Sequence, residues 1–289
     1  MKYFIRILIF SFLLVIGIGC NKDSNPVSPA GYKGYIYYSN GGEIFRLSLT
    51  NMTDQKLFTN AVNPDVTSDG FILAVEAYPL ERIIYSDLSG GNRQSLIESE
   101  SYTGPKYKYV FDCPRISYNQ SYVAYEGDAI SNPITYVIDA NDGELVAIIG
   151  DYDQRQPMIS PSWAPDGSLY VQGWTSMNNG IYKVSVDFTS LERIDPNLSN
   201  VSEPSVSPDG KRIAFIRDGK IWTMGLDGSN PTLFNSEISN FHKPTWSPDS
   251  KYVVATSYGR LYIIDLEGQK LTELSKGYAS DGNQLCWRY

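Results

Sequence analysis

The 289-residue chain has a single histidine and three cysteines. His242 alone cannot build an ordinary zinc centre, and no Cys-x-x-Cys pair compensates, so no metal and no cofactor is expected. Any Ser-His-Asp or Cys-His catalytic arrangement would have to pass through His242. That residue directly precedes Lys243-Pro244, and no serine motif of the nucleophile-elbow type accompanies it, so no catalytic residue is assigned. Positive charge is scarce as well: 24 Lys plus Arg stand against 32 Asp plus Glu, for a net charge of -8. A binder of phosphate backbones needs the opposite balance, which excludes nucleic acid as an expected partner. Long hydrophobic runs are missing too. The one extended apolar stretch, from Ile7 to Gly19, falls short of the ~20 residues that cross a bilayer as a helix.

That stretch follows Lys2 and Arg6 and ends at Cys20, the layout of a secretory signal. With Gly19 directly before Cys20 it resembles a bacterial lipoprotein signal, although Gly17 stands where that motif usually has Leu. The resemblance implies a signal peptide over 1–19, lipidation of Cys20, and a polar, Pro/Ser-containing tether through residue 32. It also implies a bacterial cell-envelope location, on the periplasmic face of the outer membrane or at the cell surface. Membrane contact would then run only through the N-terminal lipid.

What is abundant is turn and strand chemistry: Tyr 22, Gly 24 and Pro 16. Self-similarity organises it. Five stretches align as Pro64 to Gly70, Pro114 to Gln120, Pro161 to Gly167, Pro204 to Gly210 and Pro244 to Ser250, with a partial sixth ending in Leu285-Cys286-Trp287-Arg288-Tyr289. The anchors recur every ~40–50 residues, the period of a propeller blade. Each complete anchor is followed by a β-prone run such as Arg212-Ile213-Ala214-Phe215-Ile216, then by an alternating run such as Leu261-Tyr262-Ile263-Ile264-Asp265, then by a turn and a last short run. The fold class read from this is all-β: a six-bladed β-propeller of four-stranded blades over residues 33–289. Residues 34–59 carry only the last three strands of a blade and 283–289 only a first one, so the C-terminal strand is expected to pair with the N-terminal blade and close the ring.

Within each anchor the Pro-Asp-Gly trio makes a tight reversal. Proline pre-sets φ, Asp bonds its own backbone, and Gly accepts positive φ. Asp69, Asp166, Asp209 and Asp249 are therefore read as structural turn residues. The P-x-W-S-P-D-G element, followed by a run like Arg212-Ile-Ala-Phe and by Ile221-Trp or Leu261-Tyr, resembles the WD40-like (PD40) repeats of the TolB family. The likeness covers about residues 33–289. Related blades occur in the Tol-system propeller, in propellers attached to prolyl peptidases and in some polysaccharide lyases, so the motif carries the fold further than the function. TolB itself places an α/β domain before its propeller, whereas here the first repeat starts just after the tether.

In such a blade the links after strands one and three share one face and are short here. The links after strands two and four share the other face and vary, which is where binding chemistry concentrates. The longest, Glu98 to Asp112, alternates Tyr102, Tyr107 and Tyr109 with Lys106 and Lys108. Such tyrosines suit a protein or glycan surface, and equally an edge strand packed on the next blade. The same face is expected to hold Glu76, Tyr78, Glu126, Asp128, Asp151, Asp153, Arg155, Trp174, Glu203, Arg217, His242, Lys243 and Tyr258 around the channel mouth. The function read from this is a non-enzymatic, monomeric envelope lipoprotein that binds an envelope protein or glycan through its loop-rich face. The alternative is a carbohydrate-active enzyme, a polysaccharide lyase or glycosidase, using carboxylates such as Glu76, Glu126 and Glu203. A binder should bury those carboxylates against basic neighbours, and a hydrolase should hold a pair ~5–10 Å apart in an open pocket. Cys113 and Cys286 fall on first strands with a whole blade between them, too far for a bridge, and are expected as free buried thiols. The run from Asp139 to Glu144 departs from a calcium loop at its glycine and twelfth position and reads as a hairpin turn.

Overall fold

Runs such as Ile213-Ala-Phe-Ile and Val253-Val-Ala-Thr are rich in β-branched and aromatic residues and short enough to be bounded by turns, so they settle as strands buried on both faces. The computed structural model describes residues 31–76, 81–98, 111–128, 133–150, 157–175, 178–195, 197–234 and 236–289. Cys20, Tyr78, Tyr102, Tyr107, Tyr109, Asp151, Asp153 and Arg155 lie outside the described residues, as does the side chain of Asp128. Six four-stranded antiparallel sheets form, each in sequence order from the innermost strand outward, save that the first blade takes its innermost strand from the chain's end. The innermost strands are Cys286–Arg288, Ala61–Val66, Phe111–Ile116, Met158–Trp163, Val201–Val206 and Phe241–Trp246, in blades one to six. The C-terminal strand closes the ring as expected, with Tyr35 paired to Arg288, Ile36 to Trp287 and Tyr37 to Cys286.

The core is not one mass but six hydrophobic clusters, each between adjacent blades. Ile36, Tyr38 and Leu47 of blade one meet Val254, Leu261 and Ile263 of blade six, for example. Two anchor tryptophans tie neighbours by hydrogen bonds: Trp163 Nε1 donates to the Arg115 carbonyl at 3.0 Å and Trp246 Nε1 to the Ser205 carbonyl at 2.8 Å. The anchor turns close with the fourth residue bonded to the first carbonyl, as in Gly70 to Thr67 and Gly210 to Ser207. Asp69, Asp166, Asp209 and Asp249 accept from Thr67, Ser168, Ser207 and Ser247 hydroxyls inside those turns. The fourth position takes left-handed φ even where it is Gln120 or Ser250. Cys113 and Cys286 are free and buried, and Asp139 caps its hairpin by accepting from the Asn141 backbone N–H at 2.8 Å.

Candidate functional site

The channel wall is set by a feature repeated around the ring. In blades two to six the pairing of the first two strands slips by one residue just where the anchor proline enters. The residue before each proline, Asn63, Cys113, Ser160, Glu203 or Lys243, takes a left-handed φ of 45 to 54°. That conformation is disfavoured for side chains and more so before proline, so something must hold it. At all six corresponding positions the backbone N–H is captured by a polar side chain. Asn63 N donates to Ser39 Oγ, Cys113 N to Asp112 Oδ1, Ser160 N to Glu126 Oε1, Glu203 N to Gln172 Oε1, Lys243 N to Glu203 Oε2 and Gln284 N to Asn63 Oδ1. All but Asp112 reach the bulge from a neighbouring blade.

Two of the three candidate carboxylates are thus backbone acceptors. Glu126 and Glu203 flank Lys243, whose Nζ donates to Cys113 Sγ at 3.2 Å. Burial alone would favour a neutral Lys243, yet the surrounding Cys113, Glu126, Glu203 and Asp112 hold its pKa above the ordinary lysine range. Burial raises the Glu126 carboxyl, with Lys243 opposing. For Glu203 the order of forces reverses: burial is outweighed by the His242 hydrogen bond and the Lys243 charge, so its carboxyl titrates low. His242 Nδ1 lies 3.7 Å from Glu203 Oε1, and that carboxylate lifts the imidazole above its usual range. Glu76 stands apart from this cluster. It is committed within blade two, to Arg82 on the adjacent strand and to Arg93. Cys113, Ser160, Glu203 and Lys243 line a small void of about 20 Å³.

The rest of the variable face is uneven. Links after the second strand are two-residue reversals in blades one, five and six, at Gly41-Gly42, Asp218-Gly219 and Tyr258-Gly259, all with positive φ. Tyr258 is the outlier: a bulky aromatic where Asn, Asp or Gly is preferred, left 74% exposed. Arg217 lies over the Trp222 ring at 5.0 Å, and Trp174 is half-buried. The structure therefore groups Glu126, Glu203, His242 and Lys243, sets Tyr258 on the rim, and leaves Glu76 and Arg217 tied inside their own blades.

On the opposite, short-turn face the ring encloses a hollow of about 320 Å³. Its wall is the ring of residues that follow the anchor prolines: Asp65, Arg115, Ser162, Ser205, Thr245 and, in blade one, Cys286. Of the pre-proline ring the sequence pointed to Glu203 and Lys243 as channel residues, and of the post-proline ring to none. The signal was present at the two positions flanking each anchor proline, which are polar in the complete units except at Cys113, while the second position after the proline is apolar throughout (Val66, Ile116, Trp163, Val206 and Trp246).

Among solved structures the fold is similar to TolB from Acinetobacter baumannii, at TM-score 0.70 and 17% identity, covering 88% of this chain and 66% of that one. It is also similar to a protein assigned as TolB in Agrobacterium tumefaciens, at TM-score 0.66 and 16% identity over 89% of this chain and 99% of that one. An oligogalacturonate lyase in complex with manganese matches at TM-score 0.56 and 10% identity, over 81% of this chain and 70% of that one. The chain thus spans just under two thirds of the Acinetobacter protein's length, and identities this low establish the fold alone. The sequence profile of the TolB beta propeller domain (PD40) matches residues 71–285, and by that match the chain belongs to the TolB-type β-propeller family.

Proposed function

We propose that the chain is a non-enzymatic, lipid-anchored scaffold of the bacterial cell envelope, which binds a protein partner through the face carrying Tyr258 and the Glu98-to-Asp112 link. The observation that carries this reading is the commitment of the channel carboxylates. Glu126 and Glu203 accept backbone N–H groups beside Lys243, and Glu76 is paired with Arg82 and Arg93. A glycosidase needs two carboxyls free to exchange protons ~5–10 Å apart around a sugar, and the void of about 20 Å³ beside Glu203 is too small for a sugar ring. Likeness to an oligogalacturonate lyase keeps a lyase reading worth an assay, but that likeness rests on fold.

Tyr258 favours the partner surface. Left-handed φ at a bulky residue persists where something other than local stability selects it, and a rigid exposed tyrosine offers large contact area at low entropy cost. Cys20 would supply the anchor and residues 21–32 the reach. The test is affinity capture from envelopes with the full chain and with a Tyr107→Ala/Tyr109→Ala/Tyr258→Ala variant, alongside incubation of the protein with galacturonate oligomers and Mn²⁺. A discrete partner recovered by the parent and lost by the variant, with no cleavage, supports the reading. Cleavage of the oligomers, or recovery unchanged by the triple variant, overturns it.

A further inference from the structure

The short-turn face bears a second feature that partner binding on the opposite face does not use. At the inner end of the hollow there lie the proline tier and Gln284, whose Nε2 bridges the Pro64 and Pro114 carbonyls, and beyond them only a small void of about 20 Å³. Its charges are few and unequal. Arg288 is paired with Asp65 at 3.0 Å, and Asp65 is further occupied by the Val66 and Ile116 N–H groups. Arg115, half-buried in the same wall, donates to the Leu285 carbonyl at 3.1 Å, and among the described residues no carboxylate pairs with it. One net positive charge therefore sits in a concave, partly apolar site of a chain whose overall charge is -8. Across from Arg115, blades four to six present Ser162, Ser205 and Thr245 in place of larger side chains, which is why the hollow exists. Ser162 Oγ accepts from the Val206 N–H and so keeps its own O–H to give, while Thr245 Oγ1 gives its proton to the Leu285 carbonyl and keeps lone pairs to accept.

We propose that this mouth is a binding pocket for a small hydroxylated monocarboxylate, with Arg115 taking the carboxylate and the Ser162, Ser205 and Thr245 hydroxyls taking the ligand's hydroxyl groups. A guanidinium fork matches a carboxylate in a bidentate manner, and the site's single excess charge suits a monoanion. A phosphate dianion would bring a second negative charge close to Asp65 without a second free cation. The volume, about 320 Å³, equals that of about ten waters at ~30 Å³ each, which leaves room for a six-carbon sugar acid.

The probe is gluconate, titrated calorimetrically into the full-length protein, with sorbitol as the neutral polyol and inorganic phosphate as the competing anion. Trp163 and Trp246 line the pocket and give an independent fluorescence readout. Saturable gluconate binding is expected, with sorbitol and phosphate each at least about tenfold weaker. Arg115→Gln should weaken gluconate by about 10- to 100-fold, the usual worth of a hydrogen bond to a charged group. Because Arg115 also bridges blades three and one, Ser205→Leu serves as a second variant that fills the hollow and leaves the guanidinium in place; it should abolish binding. Absence of saturable gluconate binding, equal affinity for sorbitol, tighter phosphate, or binding retained in Ser205→Leu would each overturn the proposal.

Discussion

Replacing Trp287 with alanine tests ring closure at its most concentrated point. The indole is 1% exposed, stacks on Tyr252 at 6.3 Å, meets Tyr32 edge-on at 6.4 Å and donates from Nε1 to the Lys33 carbonyl at 3.0 Å. Large-to-small changes of buried aromatics cost about 3–5 kcal/mol, since the lost transfer energy is joined by the cavity left behind. At ~2–4 °C per kcal/mol for a domain of this size, the melting temperature should fall by roughly 6–20 °C. The ring makes this loss global. If the C-terminal strand were a frayed appendage, its loss would release only the few residues it touches, and the other five interfaces would melt where they did before. Far-UV circular dichroism and tryptophan fluorescence should therefore shift together in Trp287→Ala. The control is Val186→Ala at a 56% exposed turn position, which should stay within about 0.5 kcal/mol of the parent. A Trp287→Ala transition indistinguishable from the control would refute closure by the C-terminal strand.

Three further outcomes follow from the channel and the turns. His242 gains its proton affinity from Glu203, so its folded pKa lies above the unfolded one; the stability it contributes is complete below the unfolded value near 6.5 and fades as pH rises through the folded value. Thermal melts of His242→Gln across pH 5–9 should lack that decline, and an unchanged pH profile would count against the pair. Lys243→Met leaves Glu126 without its cation and Glu203 with His242 alone, so chemical denaturation should show a loss that is larger at pH 7 than near pH 4, where the burial-raised Glu126 carboxyl takes up a proton. A loss independent of pH would point to packing instead. Gly70 has φ +90° and open space around its missing side chain, so Gly70→Ala isolates the backbone term and should cost about 1–2 kcal/mol by denaturant titration. A neutral result would mean the turn relaxes out of the left-handed region.

The fold was legible because its determinants are local and repeated. Pro-Asp-Gly turns, β-branched runs and the half-blades at the two ends each constrain a few neighbouring residues, and six repetitions remove the ambiguity of any one. The channel was less legible, for a physical reason. Glu126 and Glu203 read as candidate acid/base groups because sequence shows a carboxylate but not the N–H it faces, and that N–H belongs to the next blade in each case. Glu76 looked channel-facing until its cross-strand partner Arg82 and the more distant Arg93 were in place. Arg115 and the small hydroxyls opposite it come from four different blades, so no window of sequence holds them together. Yet the pre-proline position was a usable sign: a polar residue there in four of the five complete units, with Cys113 in the other, is what a left-handed bulge lining an inner wall would select.

The most direct test of the central claim, partner binding through the Tyr258 face, is site-specific photo-crosslinking in intact envelopes. A photoreactive residue placed at position 258 is compared with one placed at position 186 on the short-turn face. The account predicts a discrete protein adduct from position 258 and none from position 186. An adduct from position 186 alone, or from neither, would contradict it.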